Sequence, residues 1–586
     1  MTMARPRFIV VGGGLAGLMT TIRVAEAGFP VDLFSVVPVK RSHSVCAQGG
    51  INAAVNWKGE GDSPWRHFDD TIYGGDFLAN QPPVKAMCEA GPGIIFLLDR
   101  MGVPFSRTAE GLLDFRRFGG TLFHRTAFAG ATTGQQLVYA LDEQVRRHEA
   151  AGQVTKHEGW EFCSLVVDEA GRCRGITALD LRAMAVRAFP APAVLLATGG
   201  PGIVFGKSTN SLVNTGSAAA AAYQQGAYYA NGEFIQVHPT AIPGPDKLRL
   251  VSESIRGEGG RLWVPHDGRP WYFLEEWYPA YGNLVPRDIA TRAIFKVVYE
   301  MGLGVGGQPM VYLDVSHLDP AMLERKVGGV LEIYEKFVGE DPTKVPMKIF
   351  PGMHYSMGGV WVDYAHMTNV PGLFAAGEVD YQYHGANRLG ANSLLSCLYS
   401  GQVAGAAMVA YARGQTTASA NGLFDREVKR QDEAYALIMR MAGPENAYAL
   451  AREMGEWMTA NVTVIRQNRK LRDTDDRLLE LKDRWGRIGL SDRGRWANQE
   501  VAFVSQLWNM LELARVMTLG ALRRDESRGA HYKPEFPNRD DARWLKTTKA
   551  RWTSDGPQFS DEPVDVSLVA PRPRKYDVAS EASGDR

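Results

Sequence analysis

The run Phe8-Ile9-Val10-Val11-Gly12-Gly13-Gly14-Leu15-Ala16-Gly17 sets an apolar, β-branched strand directly before a glycine-rich turn. An apolar, alanine-rich helical pattern follows to Ala27, and Gly28 ends it. Val31-Asp32-Leu33-Phe34-Ser35 then reads as a second strand. This is the opening of a Rossmann-type βαβ unit. Gly12 makes the turn, Gly14 lets a pyrophosphate come close, and Gly17 lets the helix pack on the strand. The helix N-terminus offers N–H groups and a positive dipole end to phosphates. Gly12, Gly14, Ala16 and Gly17 are therefore candidate cofactor residues. Ser35 stands where the second strand usually ends in an acid, and it is kept as a further contact.

Two later stretches repeat the strand-and-turn pattern. Pro190 to Leu196 leads into Ala197-Thr198-Gly199-Gly200, and Gly372-Leu373-Phe374-Ala375-Ala376-Gly377-Glu378 is the third return. Returns this far apart point to one α/β nucleotide-binding domain interrupted by an insertion. Residues 238–350 are rich in aromatics, prolines and loops, as in Trp271-Tyr272-Phe273, and form the expected α+β cap. Charges at three- and four-residue spacing, as from Arg469 to Trp485, predict a C-terminal helical domain. The expected division is 1–237 and 351–415 for the nucleotide-binding domain, 238–350 for the cap, 416–540 for the helices and 541–586 for an extension. Pro563 to Arg586, poor in hydrophobic residues, is expected to be extended or disordered.

The 586 residues carry 65 basic and 65 acidic side chains, so no basic excess argues for a nucleic-acid partner. Five cysteines at 46, 88, 163, 173 and 397 show no metal-ligand spacing, and no zinc or iron–sulfur centre is expected in this chain. Their odd, sparse set fits a reducing compartment. The N-terminus runs straight into the first strand, which fits no signal peptide. Leu394 to Ala412 is broken by Ser396, Ser400 and Gln402 and predicts a packed internal helix rather than a membrane span.

Arg41-Ser42-His43-Ser44-Val45-Cys46-Ala47-Gln48-Gly49-Gly50 carries the sharper signal. It resembles the flavin-attachment motif of the flavoprotein subunits of succinate dehydrogenase and fumarate reductase. The resemblance implies FAD bonded covalently through His43, with Ser42, Ser44, Gln48, Gly49, Gly50, Thr198, Gly199, Glu378, Ser393 and Leu394 as further contacts. The family usually has Asp after Asn-Thr-Gly, whereas Asn214-Thr215-Gly216 is followed here by Ser217. Ser217 is carried over as a cofactor residue at that position.

Other segments, among them Gln236-Val237-His238-Pro239-Thr240, resemble the same family. They imply that Arg388 with His354 holds one carboxylate of a small dicarboxylate, and His238 with Ser252 the other. Ser252 stands where the family more often has Thr. Arg287 is implied as the proton-transfer residue. An arginine pKa of roughly 12.5–13.8 makes it a poor base alone, so a relay through Glu253 and Arg256 is expected. In a helix these two, three residues apart, share a face.

Details around Val379 to Tyr383 and Gly206 to Asn210 resemble the branch with a diheme cytochrome b membrane subunit, which usually uses menaquinone. The implied partners are an iron–sulfur subunit, that anchor, quinone and succinate or fumarate. The implied place is the cytoplasmic face of the cell membrane, reached through partner subunits. Two alternatives stand beside this reading. One is an L-aspartate oxidase-like enzyme with noncovalent FAD, against which His43 argues. The other is a non-catalytic FAD-binding scaffold.

Overall fold

The computed structural model describes residues 6–244, 247–413, 415 and 422–576. The first strand, Phe8–Val11, lies inside a five-stranded parallel sheet. The order is Leu373–Ala375, Val194–Leu196, Phe8–Val11, Val31–Ser35, Val154–Glu158. Val10 faces Leu195 on one side and Leu33 on the other. All three strand-and-turn stretches thus join one sheet, although they lie far apart in sequence. The edge strand Val154–Glu158, half polar, carries no motif that announces it.

The helix Leu15–Glu26 follows the first turn, and Gly28 beyond it adopts a left-handed φ of 83°. This helix packs against Asn392–Arg413. Gly401 allows the close approach, because a Cβ there would lie 2.6 Å from the Ala16 carbonyl oxygen. Thr20 Oγ1 donates to the Gly401 carbonyl at 3.1 Å. Among the described residues, Asn392–Arg413 is the one helix long and apolar enough to cross a membrane, and 56% of its most apolar window is buried inside the protein. It serves as a core helix here.

The insertion supplies a six-stranded sheet in the order Arg249–Leu250, Ile235–Ile242, Met347–Ser356, Val311–Asp314, Arg261–His266, Arg269–Trp271. Its two long strands run past residues 238 and 350 and deliver His238 and His354 side by side. The helices Leu423–Arg440, Ala447–Asn461, Asn468–Trp485 and Gln499–Arg523 form the C-terminal helical part. Charged side chains dress the solvent face of Asn468–Trp485, where Arg484 pairs with Glu445 and Glu453, each at 2.9 Å. The hairpin Lys546–Arg551 and Gln558–Pro563 returns to pair with Tyr229–Ala230. Residues 564–576 form no helix or strand, and residues 577–586 of the expected tail lie outside the described residues.

The nucleotide turn leaves no slack. A Cβ on Gly17 would lie 1.9 Å from the Gly12 carbonyl oxygen, so the strand–helix contact must open to accept it. Gly17→Ala is expected to cost about 1–3 kcal/mol of stability and to lose bound flavin. Thermal unfolding and flavin absorbance of the purified protein check this, and a variant normal in both would refute it.

Candidate active site

The nucleotide loop meets the Arg41–Gly50 segment directly. Ser44 Oγ accepts from the Leu15 N–H at 3.3 Å, which ties that segment to the first turn of the helix. Gly12 has φ 118°, and a Cβ there would lie 2.1 Å from the Ala197 carbonyl oxygen. Ser35 Oγ donates to the Val37 carbonyl at 2.5 Å. Ser42 Oγ, Gln48 Oε1 and Thr198 Oγ1 are buried without a hydrogen-bond partner in the protein. Buried polar atoms are rarely left unpaired, and the phosphate and amide groups of a dinucleotide would fit as their partners. Glycine turns around them, such as Gly199 at φ 75° and Gly50 at φ 136°, keep the backbone open to such a ligand.

His43 opens the short turn His43–Cys46. Its Nδ1 accepts from the Ser211 N–H at 3.1 Å. A neutral imidazole with Nδ1 as acceptor carries its proton, or a substituent, on Nε2. Burial and the nearby Lys247 push the His43 pKa down to about 4, so the ring is neutral at pH 7. Glu378, by contrast, is pushed up to about 7 by burial. It accepts from the Ser356 N–H at 3.0 Å.

A cavity of about 340 Å³ opens beside these groups. His43, Ser44, Gln48, Gly49, Gly50, Glu378, Ser393 and Leu394 line it, together with His238, Ser252, Glu253, Arg287, His354 and Arg388. Gly12, Gly14, Ala16, Gly17, Ser35, Ser42, Thr198 and Gly199, around the nucleotide turns, lie outside this lining, as does Ser217. Ser217 begins the helix Ser217–Gln224, and its hydroxyl accepts from Asn509 Nδ2 at 2.7 Å. Arg256 stands behind the lining.

The polar lining fits two carboxylates. His238 Nδ1 accepts from the Thr240 N–H at 3.2 Å, which leaves the proton on Nε2. That Nε2 is buried and unpaired. Ser252 Oγ accepts from the Ser254 N–H at 3.2 Å and the Ser254 hydroxyl at 2.9 Å, so its own proton is free to be donated. The rings of His238 and His354 meet edge to face at 4.9 Å, and Thr209 Oγ1 holds His354 Nδ1 at 2.7 Å. Arg388 lies over the Tyr355 ring at 4.5 Å with its Nε unpaired. Burial, then Arg287, push the Arg388 pKa down to about 9, the mark of a buried cation short of an anion.

Behind the cavity Glu253 sits between two guanidinium groups. Arg287 donates to Glu253 Oε2 from Nε at 3.0 Å and from Nη2 at 2.8 Å, and Arg256 Nη2 donates to Oε1. Burial alone would raise the Glu253 carboxyl, but Arg287 and Arg256 outweigh it and hold it below the usual carboxylate range. Arg256 Nη1 continues the line to the Asn283 carbonyl at 2.6 Å.

Sequence reasoning missed several supports. Gln236 Oε1 accepts from Arg287 at 2.9 Å, while its amide nitrogen donates to the Arg388 carbonyl at 2.8 Å, so one side chain joins the two arginines. Arg116 is buried against Phe128 and donates from Nε to the Gly49 carbonyl at 3.0 Å, fixing the Gln48–Gly50 turn. Gln236 stood inside a matched segment, whereas Arg116 carried no local signal.

The fold and site define an FAD-dependent oxidoreductase. Residues 7–394 match the family model described as FAD binding domain, and residues 451–576 match Fumarate reductase flavoprotein C-term. The succinate dehydrogenase flavoprotein subunit of Bacillus subtilis is 66% identical over 98% of this chain and 99% of its own length. The FrdA chain of Escherichia coli quinol fumarate reductase has a TM-score of 0.92 at 31% identity, covering 98% of this chain and 99% of that one. Mycobacterium smegmatis Sdh1 has a TM-score of 0.82 at 30% identity, covering 97% and 95%. The chain belongs to the family of flavoprotein subunits of succinate dehydrogenase and fumarate reductase.

The histidines give a pH prediction. Burial first, then Arg287 with the other nearby cations, holds both His238 and His354 well below the ordinary histidine value. A bound dicarboxylate places negative charge beside them and raises both. A group whose pKa rises on binding takes up protons, so affinity increases as pH falls. The Kd of malonate is expected to tighten as pH falls below the ordinary histidine value of about 6.5, with proton uptake in calorimetry. A pH-independent Kd would refute this.

Proposed function

We propose that this chain interconverts succinate and fumarate with FAD bonded covalently to His43. The carrying observation is the convergence of His238, Ser252, His354 and Arg388, with buried unpaired nitrogens on His238 and Arg388, on the cavity that His43 and Arg287 also line. FAD, when bound, supplies the hydride acceptor. Arg388 and His354 hold one carboxylate, and His238 Nε2–H with the Ser252 hydroxyl holds the other. Clamping both ends fixes which carbons face the reacting groups. Arg287 moves the proton of the neighbouring carbon. Its pairing with Glu253, and that of Glu253 with Arg256, lets a proton be replaced along a line of contacts instead of being released from an isolated guanidinium. Gly12, Gly14, Ala16, Gly17, Ser35, Ser42, Ser44, Gln48, Gly49, Gly50, Thr198, Gly199, Glu378, Ser393 and Leu394 hold the cofactor in this reading. Ser217 acts only indirectly, through the helix it begins.

The hydrogen bond from Ser211 to His43 Nδ1 supports the covalent link, because it suits an imidazole substituted at Nε2. With FAD bound, that link would withdraw electron density from the flavin ring and raise its potential. Electrons would then pass to an iron–sulfur subunit, a partner supported by the match to succinate dehydrogenase and fumarate reductase flavoprotein subunits. A diheme cytochrome b anchor and menaquinone complete the proposed path. The chain then sits peripherally on the cytoplasmic face of the membrane. In this reading the cap comprises residues 238–350, flanked by the two parts of the FAD-binding domain at 1–237 and 351–415, and residues 416–540 and 541–586 follow as helical domain and extension. The 66% identity to a succinate dehydrogenase subunit supports this over the L-aspartate oxidase reading.

Denaturing electrophoresis under ultraviolet light is expected to show flavin fluorescence travelling with the chain, and a dark band from flavin-loaded protein sinks the covalent link. His43→Ser is expected to keep FAD noncovalently and to lose succinate oxidation more than fumarate reduction. Glu253→Gln is expected to slow turnover by about 100-fold or more, with malonate affinity within about threefold. Near-normal turnover of a succinate-dependent dye assay would rule out the relay.

A further inference from the structure

Residues 565–576 form a strap that the reaction described above does not use. Asn80 Oδ1 accepts from the Asp565 N–H, and Gln81 Oε1 from the N–H groups of Leu568 and Val569, all at 2.8 Å. Arg572 pairs twice with Asp69, at 2.9 and 2.6 Å. These partners belong to the helices Pro64–Gly74 and Gln81–Arg100, or to the residue just before the second, in the nucleotide-binding part. The strap then crosses to the cap. Arg574 makes two contacts with the Asp288 carboxylate, at 2.7 and 3.1 Å, and lies 3.5 Å from Asp76. Tyr576 packs between Tyr73 and Tyr281, with ring centroids 5.5 and 5.1 Å away.

Asp288 directly follows Arg287, and both occupy the first turn of the helix Arg287–Phe295. The Asp288 side chain is 0% exposed. Arg292 Nη2 also donates to it, at 3.0 Å. Burial alone would raise this carboxyl, but Arg574 and then Arg292 hold it below the usual range. Removing one partner of such a pair leaves a buried charge uncompensated. The turn that must then relax is the one that aims Arg287 at Glu253 and Gln236. Small misplacements of a reacting group cost rate far more than affinity.

We propose that Arg574 is a positioning residue: through Asp288 it fixes the first turn of the helix Arg287–Phe295, and with it the aim of the Arg287 guanidinium into the cavity. This rests on the role given to Arg287 under the proposed function. The strap ties cap to nucleotide-binding part at the helix end that carries the reacting group. Arg572, whose partner Asp69 lies on the nucleotide-binding side alone, anchors the strap without reaching that turn.

The test uses the membrane-assembled complex, with turnover expressed per covalent flavin. Arg574→Ala is expected to lower kcat by about 10–100-fold, with malonate Kd within about threefold and flavin content unchanged. Arg574→Lys is expected to recover part of that loss. Arg572→Ala is expected to lower Tm while kcat stays within about twofold. A normal kcat in Arg574→Ala overturns the proposal, as does an equal loss in Arg572→Ala. Should Arg574→Ala not accumulate, Arg574→Gln with Asp288→Asn removes both charges together. That pair is expected to recover kcat relative to Arg574→Gln alone, and simply additive losses overturn the route through Asp288. Arg287→Ala tests the underlying reading separately. If it turns over normally, the role of Arg287 fails whatever Arg574 does. If it is dead while Arg574→Ala is normal, only the positioning role fails.

Discussion

One buried carboxylate, held between two buried arginines, organises the centre of this molecule. Glu253 is 1% exposed, and Arg256 and Arg287 are 2% and 4% exposed. Taking such charges from water costs several kcal/mol per ion unless their hydrogen bonds are complete. The fold supplies most of their partners by bringing three separate stretches together: the turn at 253–256, the first turn of the helix Arg287–Phe295, and Gln236 on the long strand Ile235–Ile242. Room for the carboxylate comes from glycines. A Cβ at Gly119 would lie 2.3 Å from Glu253 Oε1, and one at Gly390 would lie 2.6 Å from Oε2. The loop carrying Arg388 is thus shaped by the same carboxylate that engages Arg287.

The division between what the sequence discloses and what it hides follows range. The nucleotide turn is legible because Gly12 and Gly17 answer to neighbours that strand–turn–helix geometry always supplies. The segment around His43 and the segments carrying His238, Arg287, His354 and Arg388 are legible because each keeps a local pattern of residue types. Arg116, Ser211 and Arg574 are not, since each acts through a partner 67 to 286 residues away and nothing beside it in sequence marks that partner. Gln236 lies between these cases: its segment is recognisable, but its bridge between two arginines exists only once the cap strand lies beside the 387–388 loop. The edge strand Val154–Glu158 escapes notice for a related reason, as its half-polar side chains carry no strong period. At Ser217 the departure from the family pattern meets a distant partner, because Asn509 Nδ2 donates to the buried hydroxyl.

The helix Asn392–Arg413 packs inside the protein, as Ser396, Ser400 and Gln402 along it predict. By length and hydropathy it resembles a membrane span, yet its small residues exist to admit the nucleotide helix at close range. Its first turn carries Ser393 and Leu394 to the cavity. The same helix therefore stiffens the nucleotide-binding core and delivers two side chains to the site, so substitutions along Gly401 act on both.

The strap has a further consequence, for the order in which the protein becomes competent. Residues 565–576 follow every cavity residue in the sequence, and chains are made from the N-terminus. A growing chain can hold the nucleotide turn and the residues that line the cavity while Asp288 still lacks its Arg574 partner. On the proposed role of Arg574, full competence for turnover would wait until residues 565–576 have docked on Asp288. On that proposal, a chain lacking the docked strap would keep its cavity residues and turn over more slowly.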